Sequence, residues 1–431
     1  MVILKGGNLM STWIRVVTLL LVVLLVPVAA LATNGDNIIG VGPISRAMGG
    51  VGIAAPQDAI SAVFSNPGSI CFGDYCPSSQ VDFAGTVFLP TPTGSVGANN
   101  RNFDATSAAR TYPIPALGIS WNFKELPKWR FGFGAYGVSG LGVDYRGTAI
   151  SGTIPVPPGF PRVPLAAGLR TDLLIMKFAP TVAYVPLPWL SVGVALNVDY
   201  STLDLGSGHG SAFGLGAQIG AIVKPHPKIS LGLTYITPQN ITYRRVTDFT
   251  GSGSLDDLTL GAPGNLGFGV AVEPILKKLL IEGNLKWINW SNARGYKDFG
   301  WRDQVVLNIG AQYKPIPKLA LRLGYNYGVN PVTPHRNFNG GPNSFTDVQG
   351  FRVPTYFFES FRVIGFPAIV QHHFTCGIGY NITDKFIANL GYMHAFAQPL
   401  TEHGTNLFGQ PAKFRSVLYE NSIELGFSVR F

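Results

Sequence analysis

The chain has 431 residues with 46% hydrophobic, 12% aromatic and only 13% charged side chains, 53 glycines, and a formal net charge of +9. Charge at about half the share usual in soluble proteins, combined with this much glycine and aromatic surface, speaks against an ordinary water-soluble domain and points toward lipid. The excess of base reads as attraction to anionic lipopolysaccharide or anionic solutes; nucleic acid is excluded as a partner by the export signal described next.

At the N-terminus Lys5 and Arg15 precede an apolar run from Val16 to Val26, which ends at Pro27 and Ala30-Leu31-Ala32. A positive flank, an apolar stretch and a small-x-small site in that order predict a secretory signal over 1–32, cleaved after Ala32, with Met10 an alternative start. A signal anchor is the competing reading, but the apolar run falls short of the roughly 20 residues that span a bilayer. No later stretch is apolar and uncharged for 18 residues. An exported, lipid-facing chain without spanning helices satisfies its backbone in hydrocarbon by closing a β-barrel.

Residues 33–79 show no strand alternation: Gly40, Gly42, Gly49, Gly50 and Gly52 break the pattern. Yet Ile53, Ala54, Ala59, Ile60, Ala62, Val63 and Phe64 require burial, and the only buried volume a barrel offers is its lumen. This segment is expected to be a plug. Asp58-Ala-Ile-Ser-Ala-Val predicts one or two helical turns, stopped at Asn66 by Pro67, which lacks a donor and disfavours helix in the residue before it. Cys71 and Cys76 are close enough to pair, closing a loop that contributes about 2 kcal/mol by loop entropy; a C-x4-C metal half-site competes, though no histidine lies nearby to complete it. Cys376 is left over.

From residue 80 onward apolar and polar side chains alternate. In NSIELGFSVRF, residues 421–431, Ile423, Leu425, Phe427, Val429 and Phe431 fall on one face and Ser422, Glu424, Gly426, Ser428 and Arg430 on the other. Successive strand side chains point to opposite faces. Eleven residues at ~3.3 Å, tilted by ~45°, cover the ~25 Å apolar band of an outer-membrane barrel. Similar stretches at 80–89, 113–123, 130–145, 172–185, 190–202, 212–223, 228–241, 264–272, 278–290, 303–313, 318–329, 371–381, 385–397 and 417–431 predict fourteen wall strands. Every second gap is short and mostly proline-bearing (KELPKW, PLPW, KPHP, EPILKK, KPIP, NITD), whereas the others run from about nine to about forty residues. Short periplasmic turns alternating with long external loops mark an antiparallel transmembrane barrel. The barrel is assigned to 80–431 as one domain.

Within it, GFGAYG at 132–137 matches a dinucleotide fingerprint but lies inside a strand, not between a strand and a helix. Its glycines, with Gly134, Gly137, Gly140 and Gly142 in the third strand, predict a weak, kinked strand and a break in the hydrogen-bonded wall. The seven histidines show no metal-ligand spacing and no G-x-S-x-G elbow is present, so neither an enzyme nor a cofactor or metal site is expected. Lys177, Lys286 and Arg322 fall on the inward face, either to capture an anionic head group or merely to line a wet lumen.

SRAMGGVGIAAPQDAISAVFSNPGSI resembles the hatch of the FadL-like long-chain fatty-acid and hydrocarbon transporters of Gram-negative outer membranes. RFGFGAYGVSGLGVDY, LKWINWSNARGY, LRLGYNYGVNPVTPHR and FTCGIGYNITDKFIANLGYMHAF are similar to further segments of that family, so the likeness covers most of the mature chain. It implies a monomeric fourteen-stranded barrel plugged by its N-terminus, an apolar substrate pocket beside the hatch, and lateral exit at the kinked third strand. The family's Asn-Pro pair falls on Asn66 and Pro67, and Ile60, Val63 and Phe64 on the substrate side of the hatch. Gly68 stands where the family has alanine, and the long loop after the fifth strand shrinks to 203–211. The loop 330–370, with Phe351, Phe357, Phe358, Phe361 and Phe366, is expected to replace it as an exposed apolar capture surface. The expected function is passive uptake of a fatty acid, alkane or aromatic hydrocarbon; a porin-like or adhesin-like barrel is the alternative.

Overall fold

The computed structural model describes residues 34–73, 79–156, 159, 162–249 and 253–431. The expected signal and Cys76 lie outside them. Fourteen strands form a closed antiparallel wall: β1 (Gln80–Ala98), β2 (Tyr112–Trp121), β3 (Trp129–Asp144), β4 (Arg170–Leu187), β5 (Leu190–Asp204), β6 (His209–His226) and β7 (Ile229–Ile236), followed by β8 (Asn265–Ile275), β9 (Leu279–Ile288), β10 (Gln304–Ile316), β11 (Leu319–Gly328), β12 (His372–Asn381), β13 (Phe386–Thr405) and β14 (Pro411–Arg430). The barrel closes where β1 pairs with β14 from Gln80↔Arg430 to Ala98↔Ala412. Two further strands, Arg101–Thr106 and Arg336–Phe338, attach to the tall outer ends of β1 and β13. No helix among the described residues is long and apolar enough to cross a membrane.

The alternation sorts the side chains as the sequence requires. On β14, Ile423, Leu425, Phe427 and Val429 are exposed while Ser422, Glu424 and Ser428 are buried; on β11, Leu321 and Leu323 flank the buried Arg322. Phe123, Trp129, Trp189, Tyr313, Tyr380 and Phe431 are exposed near the short-turn end, an aromatic girdle of the kind that sits at a membrane interface.

Four strands depart clearly from their predicted boundaries. β1, β13 and β14 continue well past the expected ends, to 19, 20 and 20 residues, because they pair with one another above the apolar band. The seventh strand ends at Ile236 instead of 241: beyond Pro238 the chain leaves the wall and forms a hairpin, Gln239–Thr247 with Asp256–Ala262. This hairpin lies against inward-facing glycines of β6, where a Cβ on Gly216 would come within 2.8 Å of the Gln239 amide nitrogen.

The N-terminal segment occupies the lumen. It contains α1 (Gly42–Ala47) and α2 (Ala59–Ser65). Asp58 caps α2 by accepting the Ser61 backbone N–H at 2.8 Å, and Pro67 opens a single 3-10 turn after it, as expected from the sequence. Its backbone is tied to inward side chains around the wall. Glu282 on β9 accepts the N–H groups of Gly52 (3.0 Å) and Ala54 (2.9 Å), Ser230 on β7 donates to Ala54 O (2.7 Å), Thr375 on β12 accepts from Gly49 N (2.9 Å), and Asp82 on β1 accepts from Ala59 N (2.6 Å). Arg46 of α1 forms a buried ion pair with Glu424 on β14 at 2.9 Å.

Close approach of the plug depends on inward wall glycines. Cβ atoms at Gly193, Gly220, Gly232, Gly310 and Gly324 would collide with the backbone or side chains of Pro67, Asn66, Ile53 or Met48. Only residues without a side chain fit there.

Candidate functional site: an apolar cavity at a break in the wall

Strand β3 has a bulge between Gly137 and Ser139, where its register to β4 slips by one residue. Such an extra residue bends a strand and leaves one backbone unit unpaired. Below the bulge β3 pairs with β2 from Trp121↔Phe131 to Ala116↔Tyr136. Above it, β3 pairs only with β4, up to Asp144↔Arg170, while Tyr112–Pro115 of β2 pair only with β1. The ladder between β2 and β3 is therefore open over this stretch. Pro113 and Pro115, without N–H groups, sit at that edge of β2, which suits proline.

A cavity of about 290 Å³ lies at the break. Its wall is apolar: Phe88, Pro90, Ile114, Ile175, Met393 and Leu418 from the strands, Ile38 and Ile39 from the plug, and Pro367 and Ala368 from the long loop. Outward residues Pro113, Pro115, Leu141, Leu174 and Met176 line it too, with Leu174 44% exposed, so the cavity reaches the lipid-facing surface. Asp36, Arg46, Tyr112, His373 and Glu420 are its charged or titratable lining residues, and Arg46 is already paired with Glu424.

The first described residues of the plug seal the inner side of the bulge. Ile38 donates to Val138 O at 3.2 Å, Gly140 donates to Asp36 O at 3.3 Å, and Asn37 bridges to Ser139. Asp36 is buried, and its carboxylate accepts the Tyr296 hydroxyl from the external loop between β9 and β10. Burial pushes the Asp36 carboxyl up to about 6, against the opposing hydrogen bonds from Tyr296 and Ser139.

A second, smaller and more polar cavity lies on the other side of residues 34–38. Phe64, Lys177 and Lys286 line it together with Asp199, Gln218 and Gln239. Lys177 approaches Asp199 at 3.6 Å; Lys286 makes no ion pair among the described residues. Phe64 packs edge-on against Tyr136 with ring centroids 5.7 Å apart.

The sequence-predicted residues thus divide. Gly137, Gly140 and Gly142 line the apolar cavity. Gly134 instead gives room to Tyr136 and Val63. Phe64, Lys177 and Lys286 come together in the polar cavity, but Arg322 lies apart in a third cavity at the short-turn end. Ile60, Val63, Asn66 and Pro67 line none of these. Ile60 packs on Gly118 of β2 and Val63 on β3. Asn66 is a joint of the plug: its amide donates to Ile53 O (2.8 Å) and Ala221 O (3.0 Å), and its carbonyl accepts from Gly68 N (3.0 Å). Cys71, whose carbonyl accepts from Arg130 Nε at 3.4 Å, is described; its expected partner Cys76 is outside the described residues.

The long loop departs from the expected exposed capture surface. Phe358 and Phe366 are only 4% and 2% exposed, and Phe351, Phe357 and Phe361 are half-buried. Phe361 and Phe366 stack with each other and against Phe299, and Phe366 also meets Tyr296 and Trp301. The apolar run in the sequence is satisfied by packing over the outer mouth, where Ala167 N donates to Ser360 Oγ (2.8 Å) and Tyr356 to Leu165 O (2.7 Å), docking this loop on the one between β3 and β4. Sequence reasoning missed the open β2 edge, which YPIP at 112–115 signals, and the Asp36–Tyr296 link, for which no local pattern exists.

No protein-family model and no curated protein matches the sequence. Solved structures do match the fold. The Pseudomonas putida toluene transporter TodX superposes with a TM-score of 0.62 at 18% identity over 91% of this chain and 99% of that one. A Pseudomonas aeruginosa FadL homologue gives 0.64 at 11% identity over 94% and 100%, and the monoaromatic hydrocarbon channel CymD 0.55 at 15% over 93% and 99%.

Proposed function

We propose that this chain is a passive transporter of the Gram-negative outer membrane that takes up hydrophobic compounds, long-chain fatty acids or related hydrocarbons, and releases them sideways into the bilayer between β2 and β3. The observation that carries the reading is the coincidence of an apolar cavity with an unpaired stretch of wall. Returning an apolar solute to water forfeits about 0.8 kcal/mol for each CH2 group, so a path that opens directly into lipid avoids a steep barrier. Residues 34–38 stand between the polar and the apolar cavity and act as the gate; their few hydrogen bonds to the bulge of β3 are the contacts that break when solute passes. The TodX and CymD channels, whose solved structures share this fold, are described as toluene and monoaromatic hydrocarbon channels, which supports a hydrophobic substrate for this chain. The working form is a monomer in contact with lipopolysaccharide. A general porin is the less favoured reading, because the plug contacts the wall strands around the lumen.

Gly140 offers a direct test, since a Cβ there meets only ordinary van der Waals contacts with Leu173 and Leu174. Gly140→Phe, on the same face as its cross-strand partner Leu174, puts a ring at the outward mouth of the cavity without a clash at its Cβ. Uptake of labelled toluene or oleate by cells carrying this variant is expected to fall at least tenfold while the heat-modifiable barrel persists; undiminished uptake of both overturns the lateral path. Native mass spectrometry of ligand carried through purification identifies the class, and Lys286→Met, which removes the unpaired ammonium, should lower oleate uptake and leave toluene unchanged if a carboxylate head group is read.

A further inference from the structure

Arg322, on the inward face of β11, lines a cavity of about 300 Å³ at the short-turn end, beneath the plug. Four more cations surround that space: Lys277, Lys314, Lys318 and Arg430. No aspartate or glutamate lines it; the rest of the polar lining is neutral, including Gln80, Gln312 and Asn381. None of the five cations takes part in an ion pair among the described residues. The carboxylates whose fields reach the cluster are Asp58 of the plug, towards Arg322, and Glu273 of β8, which accepts the Lys277 backbone N–H at 2.9 Å.

Arg322 is held as a binding group is held. It is 8% exposed; Nε donates to Gln312 Oε1 at 2.8 Å and Nη1 to Asn389 Oδ1 at 3.0 Å. Gly379 makes room for the guanidinium, since a Cβ there would stand 2.7 Å from Nη1. Two neutral partners orient the plane without neutralising it, and Nη2 has no protein acceptor among the described residues. Five like charges around one concave space repel each other, and a cleft of one sign concentrates ions of the other. A planar arginine fork backed by mobile ammonium groups matches the several oxygens of a phosphate group.

We propose that this cavity is a phosphate-binding site on the periplasmic face, formed by Arg322 with Lys314, Lys318 and Arg430, and separate from the path of the hydrophobic substrate. The phosphate group is either the head group of an inner-leaflet phospholipid or a free phosphate of the periplasm. The full-length barrel purified in detergent is titrated with inorganic phosphate by calorimetry at low salt, and the barrel in nanodiscs of phosphatidylcholine with and without phosphatidylglycerol is examined for retained lipid by native mass spectrometry. Binding in the first assay assigns free phosphate and retention of phosphatidylglycerol in the second assigns the head group. In either case Lys314→Gln with Lys318→Gln, on side chains that are not fully buried, should weaken it at least tenfold, as should Arg322→Gln. Lys278→Gln is the control, because that ammonium lies over the Tyr313 ring and does not line the cavity. Absence of binding in both assays, or equal weakening by the control, overturns the site.

Discussion

Asp36 is the residue at which the plug, the kinked strand and the external loop meet. Its carboxyl titrates at about 6 instead of 3.8 because burial penalises the charged form. The native state therefore holds a proton that the unfolded chain has released, so the stabilisation from Asp36 is complete below about pH 4 and is lost as pH rises through about 6. Two units correspond to about 3 kcal/mol. Asp36→Asn should protect residues 34–40 from hydrogen exchange more than the wild type does at pH 7.5, and equally at pH 4; a difference that does not change with pH would refute this. Asn66 makes a contrasting prediction. Replacing it with alanine leaves Ile53 O, Ala221 O and Gly68 N short of a partner, at about 1–3 kcal/mol for each buried group. Exchange in 52–70 should rise at least tenfold, with the wall strands unchanged.

At the scale of elements, the wall was legible because period-two alternation is enforced by lipid on one side and a filled lumen on the other. The turns were legible because proline and charge collect where strands reverse. The end of β7 was not: Tyr235-Ile236-Thr237 continues the pattern, and only Pro238 marks the departure into the hairpin. The plug's helix was readable from Asp58 and Pro67, but its docking was not, since contacts such as Glu282 with Gly52 link residues far apart in the chain. The inward glycines carry that information in hindsight, recurring at lumen-facing positions of β5, β6, β7, β10 and β11. Gly232→Val and Gly324→Val should each drive the plug out of its seat, because backbone, not a flexible side chain, stands in the way of the new Cβ. Steady ion conductance in planar bilayers should then appear where the wild type shows little.

For the whole molecule, the aromatic loop read as a capture surface from its composition became a cap, since composition shows that apolar side chains need cover but not what covers them. A buried ionic knot fastens it. Arg362 pairs with Glu359 at 3.0 Å and with Glu402 on β13, and donates to Phe299 O and Thr333 O at 3.1 Å. Arg362→Leu removes the cation between two buried carboxylates, leaving Glu359 with His335 Nδ1 (2.8 Å) and Glu402 with the His335 N–H (2.9 Å), and breaking a buried pair costs about 3–5 kcal/mol. Limited proteolysis between 340 and 370 should become rapid in that variant while the barrel resists; slow cleavage would mean that the aromatic packing alone suffices.

The plug and this cap together carry a consequence for the cell. A tube stoppered by its own N-terminal segment is expected to pass little of the water-soluble nutrients, dyes or antibiotics around it, so an envelope crowded with copies would keep its sieving limit. On the proposed path, only a guest that prefers oil to water would find a door, and it would open onto the oil.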